Sequence, residues 1–170
     1  MAESIGAMVR PYDGSRVMTN DCNSTILRFA RVKDAPAIFD VLWSCRLEIP
    51  LHESYGLQQV RGECRSKQYW VVESEGAIVG VMKLCANDIF FLAVRAEYRK
   101  QGIARTLIAY AKKRCAKQRW SCLSAKTRKD NAPTIALLKS EGFLQNHVAM
   151  VIDSAWIAYA WNFPTSSVSR

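Results

Sequence analysis

Histidine and long apolar runs are scarce in this chain of 170 residues. There are two histidines, and the six cysteines, at 22, 45, 64, 85, 115 and 122, form no Cys-x-x-Cys pair and no cluster with histidine. That spacing suggests neither a zinc site nor the disulfide framework of a secreted domain, so no metal and reduced thiols are expected. Residues Met1 to Ser24 hold no apolar stretch of signal-peptide length, and the longest uncharged stretch near the end, Ser154 to Ser169, is too short and too polar to span a bilayer. The expectation is a soluble, cytoplasmic protein with no membrane partner. There is no internal repeat and no interior linker, and a composition 49% hydrophobic and 23% charged suits one globular domain.

Acidic residues are missing from one long segment. Arg99 to Lys129 contains eleven of the 24 basic residues and no Asp or Glu, which accounts for the net charge of +9. The rest of the chain is close to neutral. Such a segment suits nucleic acid, an anionic surface or a phosphate-rich cofactor, and charge alone does not choose among them.

Residues 1–24 show no sustained periodicity and are expected to be a flexible N-terminal tail, with 164–170 as a C-terminal tail. Structure is expected from Thr25 to Arg31, a strand with Ile26, Arg28 and Ala30 on one side. Asp34 reads as an N-cap with Pro36 in the first turn of a helix. Ala35, Ile38, Phe39, Leu42 and Trp43 recur at helical spacing and form one apolar stripe ending before Pro50. A second helix is expected across Leu57 to Arg65. Tyr69 to Val72, the turn Glu73 to Gly76, and Ala77 to Leu84 read as an antiparallel hairpin. Asp88 to Val94 is nearly continuous in apolar residues and is expected to be a central strand. Ala104, Leu107, Ile108, Ala111 and Cys115 mark a helical face, with Lys112, Lys113 and Lys117 pointing outward. Trp120 to Ala125 is the next strand. Asn131 and Pro133 open a short helix that Gly142 closes, and Phe143 to Ile152 and Ala155 to Phe163 are the last strands. The order β-α-α-β-β-β-α-β-α-β-β implies an α+β or mixed α/β domain.

The strongest local signal is the strand, loop and helix of Val94 to Arg105. Backbone N–H groups at a helix N-terminus converge on one spot, Gly102 allows close approach, and Arg99, Lys100 and Arg105 add full charges. An anion cradle is one reading and a basic turn with a glycine for geometry is the other. It is not a P-loop, because no Gly-Lys-Ser/Thr follows, and it lacks Gly-x-Gly-x-x-Gly.

Arg99-Lys-Gln-Gly102-Ile-Ala104 resembles the pyrophosphate-binding signature Arg/Gln-x-x-Gly-x-Gly/Ala of the GCN5-related N-acetyltransferase (GNAT) superfamily. It follows a family-like strand ending in Leu92-Ala-Val94, and a second family-like block, Asn131 to Phe143, comes at the expected distance. Arg28-x-Ala30, Asp34-Ala35 and Ile78-Val-Gly80 fit as well. The resemblance covers residues 25–163. It implies a central, mostly antiparallel sheet of about seven strands with its fourth and fifth strands splayed, flanked by about four helices. It also implies acetyl-CoA as co-substrate, with pantetheine against the backbone of Leu92, Ala93 and Val94. The pyrophosphate would lie on the loop formed by Arg99, Lys100, Gln101, Gly102, Ile103, Ala104 and Arg105. Asn131 matches a residue that contacts pantetheine; a plain N-cap is its other reading.

The implied reaction is direct acetyl transfer to an amine, which attacks only when neutral. A lysine amine has a pKa of ~10.4, so a base must take its proton. Asp88 occupies the position where histone acetyltransferases of the superfamily carry their base, on the same strand parity as Phe90, Leu92 and Val94; its other reading is a turn residue after Asn87. Glu48, His52 and Glu53 lie in the segment that walls the acceptor site in this family, or are ordinary loop charges. Many members have a Tyr that protonates the leaving thiolate where this chain has Leu138. The thiolate then leaves unaided, or Tyr159 or Ser140 substitutes. The Leu-Leu form also resembles the ribosomal-protein N-terminal acetyltransferase branch.

The leading expectation is an acetyl-CoA-dependent N-acetyltransferase acting on a small-molecule or protein amine. An enzyme acting on aminoacyl-tRNA is an alternative motivated by Lys112, Lys113, Arg114, Lys117 and Arg119. A non-catalytic acyl-CoA-binding module is another, consistent with Leu138. The apolar strand Trp156 to Trp161 suits either a core position or pairing with a second subunit, leaving monomer or homodimer open.

Overall fold

The computed structural model describes residues 17–18, 25–49, 51–146 and 155–162. Eight strands form one sheet: β1 Val17–Met18, β2 Thr25–Phe29, β3 Tyr69–Ser74, β4 Ala77–Cys85, β5 Asp88–Val94, β6 Cys122–Arg128, β7 Leu144–Gln145 and β8 Trp156–Asn162. Their order is β1-β2-β3-β4-β5-β6-β8-β7, and among the described residues β5 with β6 is the one parallel pair. The described residues also form four α-helices, α1 Ala35–Ser44, α2 Leu57–Arg65, α3 Ile103–Lys117 and α4 Ala132–Ser140. This is the mixed, mostly antiparallel plan expected. The splayed pair ranks fifth and sixth because Val17–Met18, within the segment read as a tail, pairs with β2.

Alternation along the strands sends side chains to two cores, one on each face of the sheet. Tyr69, Val71, Val81, Phe91 and Ala93 pack with α1 and α2. Trp70, Val72, Met82, Leu84 and Ile89 pack with α3, Leu138 and Tyr159. The sheet is thus covered on both sides, and β5 is an inner strand, as its apolar run predicts.

Two local features set up the site. A Cβ on Gly80 would lie 2.6 Å from Cγ2 of Ile103, so glycine there lets the start of α3 seat directly on β4. The second is a bulge in β5. Phe91 is opposite Lys83 and Ile89 opposite Leu84, which leaves Phe90 unpaired and 45% exposed. The bulge breaks the expected parity. Ile89 joins the core of Leu92, while Asp88 falls on the other face from Leu92 and Val94.

Other expectations are corrected by long-range partners. Asp34 makes no cap to α1. Its carboxylate turns back to accept from Arg28 at 2.7 and 3.2 Å and from the Arg31 amide at 2.6 Å. On α3, Ile103 is buried and Ala104 only half-buried. Lys112 does not point outward; it pairs with the Glu141 carboxylate at 3.2 Å beneath the rings of Phe143 and Trp161. The sixth strand starts at Cys122, because the Trp120 amide still donates to Cys115 of the preceding helix. β8 lies between β6 and β7, so Trp156 to Trp161 is an interior strand and not a free edge. Of the strand expected over 143–152, Leu144–Gln145 is observed, and 147–154 lie outside the described residues.

Candidate active site

β5 and β6 pair through Asp88 with Ser124 and Ile89 with Ala125, and then part. The gap opens into a cleft of about 560 Å³. Its walls are Leu92, Ala93 and Val94 of β5, Ala125, Lys126 and Thr127 of β6, and Asn131, Pro133, Thr134, Leu137 and Leu138 at α4. Cys45, Glu48 and Ile49, just after α1, cross one side of it. Tyr98, Arg99, Lys100 and Gly102 to Arg105 form its mouth.

The mouth is built as an anion site. Lys100 and Gly102 both take positive φ, 62° and 82°, which turns the chain sharply into α3. The first helical amide with a partner inside the turn is Thr106, donating to the Gly102 carbonyl at 2.9 Å. The amides of Ile103, Ala104 and Arg105 precede it and are left to an outside acceptor, since Gly102 offers no side-chain cap. Nothing lies within 4 Å of where a Gly102 Cβ would be, so the space before these amides is open. The positive end of the helix dipole points there as well.

The charged side chains around this loop are less free than their sequence suggests. Arg99 folds back into the cleft, where Nε donates to the Val94 carbonyl at 3.2 Å and Nη2 donates to Cys45 Sγ at 3.6 Å and Glu48 Oε1 at 3.0 Å. Partial burial works against its charge, but Glu48 and Cys45 outweigh that and raise its pKa. Arg105 leans towards Glu141 at 3.6 Å, and Gln101 donates to the Glu97 carbonyl. Lys100 forms no ion pair among the described residues.

Glu48 ties the two walls together. Its carboxylate holds Arg99, and its backbone carbonyl accepts from Asn131 Nδ2 at 3.3 Å. Asn131 also caps α4, its Oδ1 accepting from the Thr134 amide at 3.2 Å. Both readings of Asn131 therefore meet in one residue: it is an N-cap and it lines the cleft.

The remaining expected residues are dispersed. Asp88 does not line the cleft; it sits behind the parting point, accepting from Ser124 Oγ at 2.8 Å. Glu53 is exposed outside the cleft, and the His52 ring is engaged with Ser54. Leu138 is buried against the cleft. Neither substitute hydroxyl reaches it: Tyr159 is buried in the core, and Ser140 Oγ donates to the Leu137 carbonyl.

Thr127 is the residue missed by reading the sequence. It is 2% exposed, lines the cleft, and its Oγ1 has no hydrogen-bond partner among the described residues. A buried hydroxyl left unpaired costs roughly 1–3 kcal/mol, so one retained beside a cleft is suited to a ligand's polar group. The signal was legible in part. Leu123, Ala125 and Thr127 share parity on β6, and a lone polar residue on that apolar face marks the site. A buried network behind Phe90 was also missed. Lys83 pairs with Glu63 at 2.6 Å under the rings of Phe90, Phe91 and Tyr55, and Tyr55 bonds both Glu63 and Tyr69. Burial first, and the Glu63 bond second, pushes the Tyr55 pKa up.

Among the described residues no helix is long and apolar enough to cross a membrane, and no three His, Cys, Asp or Glu side chains gather as a metal site.

The fold recurs in solved acetyltransferase structures. PaiA N-acetyltransferase from Thermoplasma acidophilum, solved in complex with coenzyme A, matches with a TM-score of 0.68 and 16% identity, over 82% of this chain and 99% of that one. Ribosomal-protein-alanine N-acetyltransferase from Brucella melitensis matches with a TM-score of 0.67 and 21% identity, over 80% and 98%. YncA from Salmonella typhimurium, solved with its cofactor acetyl-CoA, matches with a TM-score of 0.70 and 15% identity, over 87% and 99%. No curated protein sequence matches the chain. Residues 35–143 match the family model described as the acetyltransferase (GNAT) family, and this stretch contains the helix before the cleft, both parting strands, the amide-lined mouth and α4. The chain belongs to the acetyltransferase (GNAT) family.

Proposed function

We propose that this protein is an N-acetyltransferase that moves the acetyl group of acetyl-CoA directly to a primary amine. The observation that carries the reading is the cleft where β5 and β6 part, with the open amides of Ile103 to Arg105 at its mouth. The residues present fit the co-substrate. The open space at Gly102 accommodates a pyrophosphate on the loop amides, with Lys100 adjacent. The gap between the strands suits a narrow arm carrying amides. Thr127 Oγ1 supplies the polar partner such an arm needs, and Asn131 a second.

Acetyl-CoA bound here supplies an activated acyl carbon. The amine nitrogen bonds to that carbon, the carbon–sulfur bond breaks, and one amine proton leaves. Glu48 is the one carboxylate among the described cleft-lining residues, and we assign it the proton, which reaches it from the amine through water; Arg99 engages Oε1 and leaves Oε2 to accept. Asp88, held behind the parting point by Ser124, supports the strand junction rather than receiving the proton. With Leu138 on the cleft wall, the thiolate departs unassisted, which its ordinary pKa of ~8.5 permits near neutral pH.

A thiol-release assay with acetyl-CoA over a panel of amines tests the reading. Release that depends on an acceptor, with the acceptor gaining one acetyl group, is the expected result. Binding of CoA without release to any amine would leave a binding module instead.

A further inference from the structure

Resting on that reading, we infer that the acceptor carries a carboxylate close to its amine, and that Lys126 recognises it. Lys126 is the first residue of β6 beyond the last parallel pair, Ile89 with Ala125, so it stands where the strands begin to separate. Across the gap is Phe90, pushed out by the bulge and exposed. Both line the cleft, Lys126 is exposed, and it forms no ion pair among the described residues.

Lys126 is badly placed to serve the phosphates. From Phe90 to Val94 the strand runs about 13 Å, and the phosphate loop lies beyond that end. This exceeds the Debye length of ~8 Å at physiological salt. Its charge acts instead at the narrow end, where an acyl arm entering from the mouth would terminate and the amine must arrive.

The charges around that end select the acceptor. Glu48, the cleft's carboxylate among the described residues, lies toward the mouth, where Arg99, itself bonded to the Val94 carbonyl, already balances it. A polycationic amine meets Lys126 as a like charge, and the nearest acid, Asp88, lies behind the parting point, where Ser124 Oγ donates to it. A carboxylate finds an ammonium with unfilled hydrogen-bonding capacity and forms a charge-assisted hydrogen bond with it. Amino acids, or peptides that begin with Asp or Glu, carry this chemistry.

The test compares kcat/KM for four acceptors with purified full-length protein: free glutamate, a peptide beginning with Asp-Glu, the same-length peptide beginning with Ala-Ala and amidated, and spermidine. One or both carboxylate acceptors should exceed the other two by at least roughly tenfold, as expected for a charge-assisted hydrogen bond. Which of the two leads distinguishes a small-molecule from a peptide substrate. Lys126→Ala should remove that advantage through KM while CoA affinity stays unchanged, and Lys126→Arg should retain most of it. Spermidine as the best acceptor, or a uniform fall in kcat for all four with Lys126→Ala, would overturn the inference. Wild-type protein that fails to bind CoA would instead overturn the acetyltransferase reading beneath it.

Discussion

Thr127→Val replaces a hydroxyl with a methyl group of nearly the same shape at a position 2% exposed, and its consequences have opposite signs in the free and bound protein. Without ligand, the Thr127 Oγ1 has no partner among the described residues, and such a buried group costs about 1–3 kcal/mol. Removing it should stabilise the free protein by a similar amount. At about 2–4 °C per kcal/mol for a domain of this size, the midpoint of thermal unfolding should rise by about 2–12 °C. If CoA binds as proposed, its arm satisfies the hydroxyl, and the valine variant forfeits that bond. The same 1–3 kcal/mol then appears as a loss of affinity of about 5- to 150-fold. Calorimetry of the free protein and titration with CoA measure the two effects separately. A variant with unchanged or lowered thermal stability and unchanged CoA affinity would refute the assignment. Thr127→Ser, which keeps the hydroxyl, should retain CoA affinity.

Glu48→Gln should lower kcat roughly 10²–10⁴-fold while CoA still binds, as expected for loss of a positioned base, and a rate within threefold of wild type would remove Glu48 from the role. Gly102→Val should weaken CoA binding about 5- to 30-fold. The left-handed conformation there costs a branched residue roughly 1–2 kcal/mol, although nothing crowds the side chain. Stability should fall at both ends of the pH scale. Burial opposes the Asp34 charge, but Arg28 and the Arg31 amide outweigh it and hold its pKa below the ordinary carboxylate value. Its contribution is therefore complete above pH ~4 and is lost as pH falls further, a loss that Asp34→Asn should abolish in urea titrations. Burial, aided by Asp34 and Glu63, pushes the Cys64 thiol up to about 11. Its contribution is complete below pH ~8.5 and is lost as pH rises through about 11, at up to ~1.4 kcal/mol per pH unit. Cys64→Ala should flatten that part of the profile.

Elements whose pattern is local were legible in the sequence. α2 at Leu57–Arg65 and β5 at Asp88–Val94 match their expected bounds, and the glycine and basic residues of the 99–105 loop mark the mouth of the cleft. What was illegible depends on partners distant along the chain. Asp34 is an excellent N-cap by type, yet Arg28 across the turn takes its carboxylate. Lys112 meets Glu141, 29 residues away, and so leaves the solvated face to which its spacing assigned it. The bulge at Phe90 is invisible in an apolar run, because alternation within the run carries no polar mark to slip against. It reverses the side on which Asp88 lies, and with that the case for Asp88 at the cleft. Glu48, by contrast, was visible as a charge in the right segment, and its ties to Arg99 and Asn131 come from the fold.

The central claim is that the gap between β5 and β6, with the amides of Ile103 to Arg105 at its mouth, holds CoA. Thermal unfolding with increasing CoA, for wild type and Gly102→Val, tests it most directly. Ligand at 100 times its dissociation constant adds about 2.7 kcal/mol. The wild-type midpoint should therefore climb by about 5–11 °C, and the variant should need several-fold more CoA for the same shift. A wild-type midpoint that does not move with CoA, or a variant that responds identically, would contradict the account.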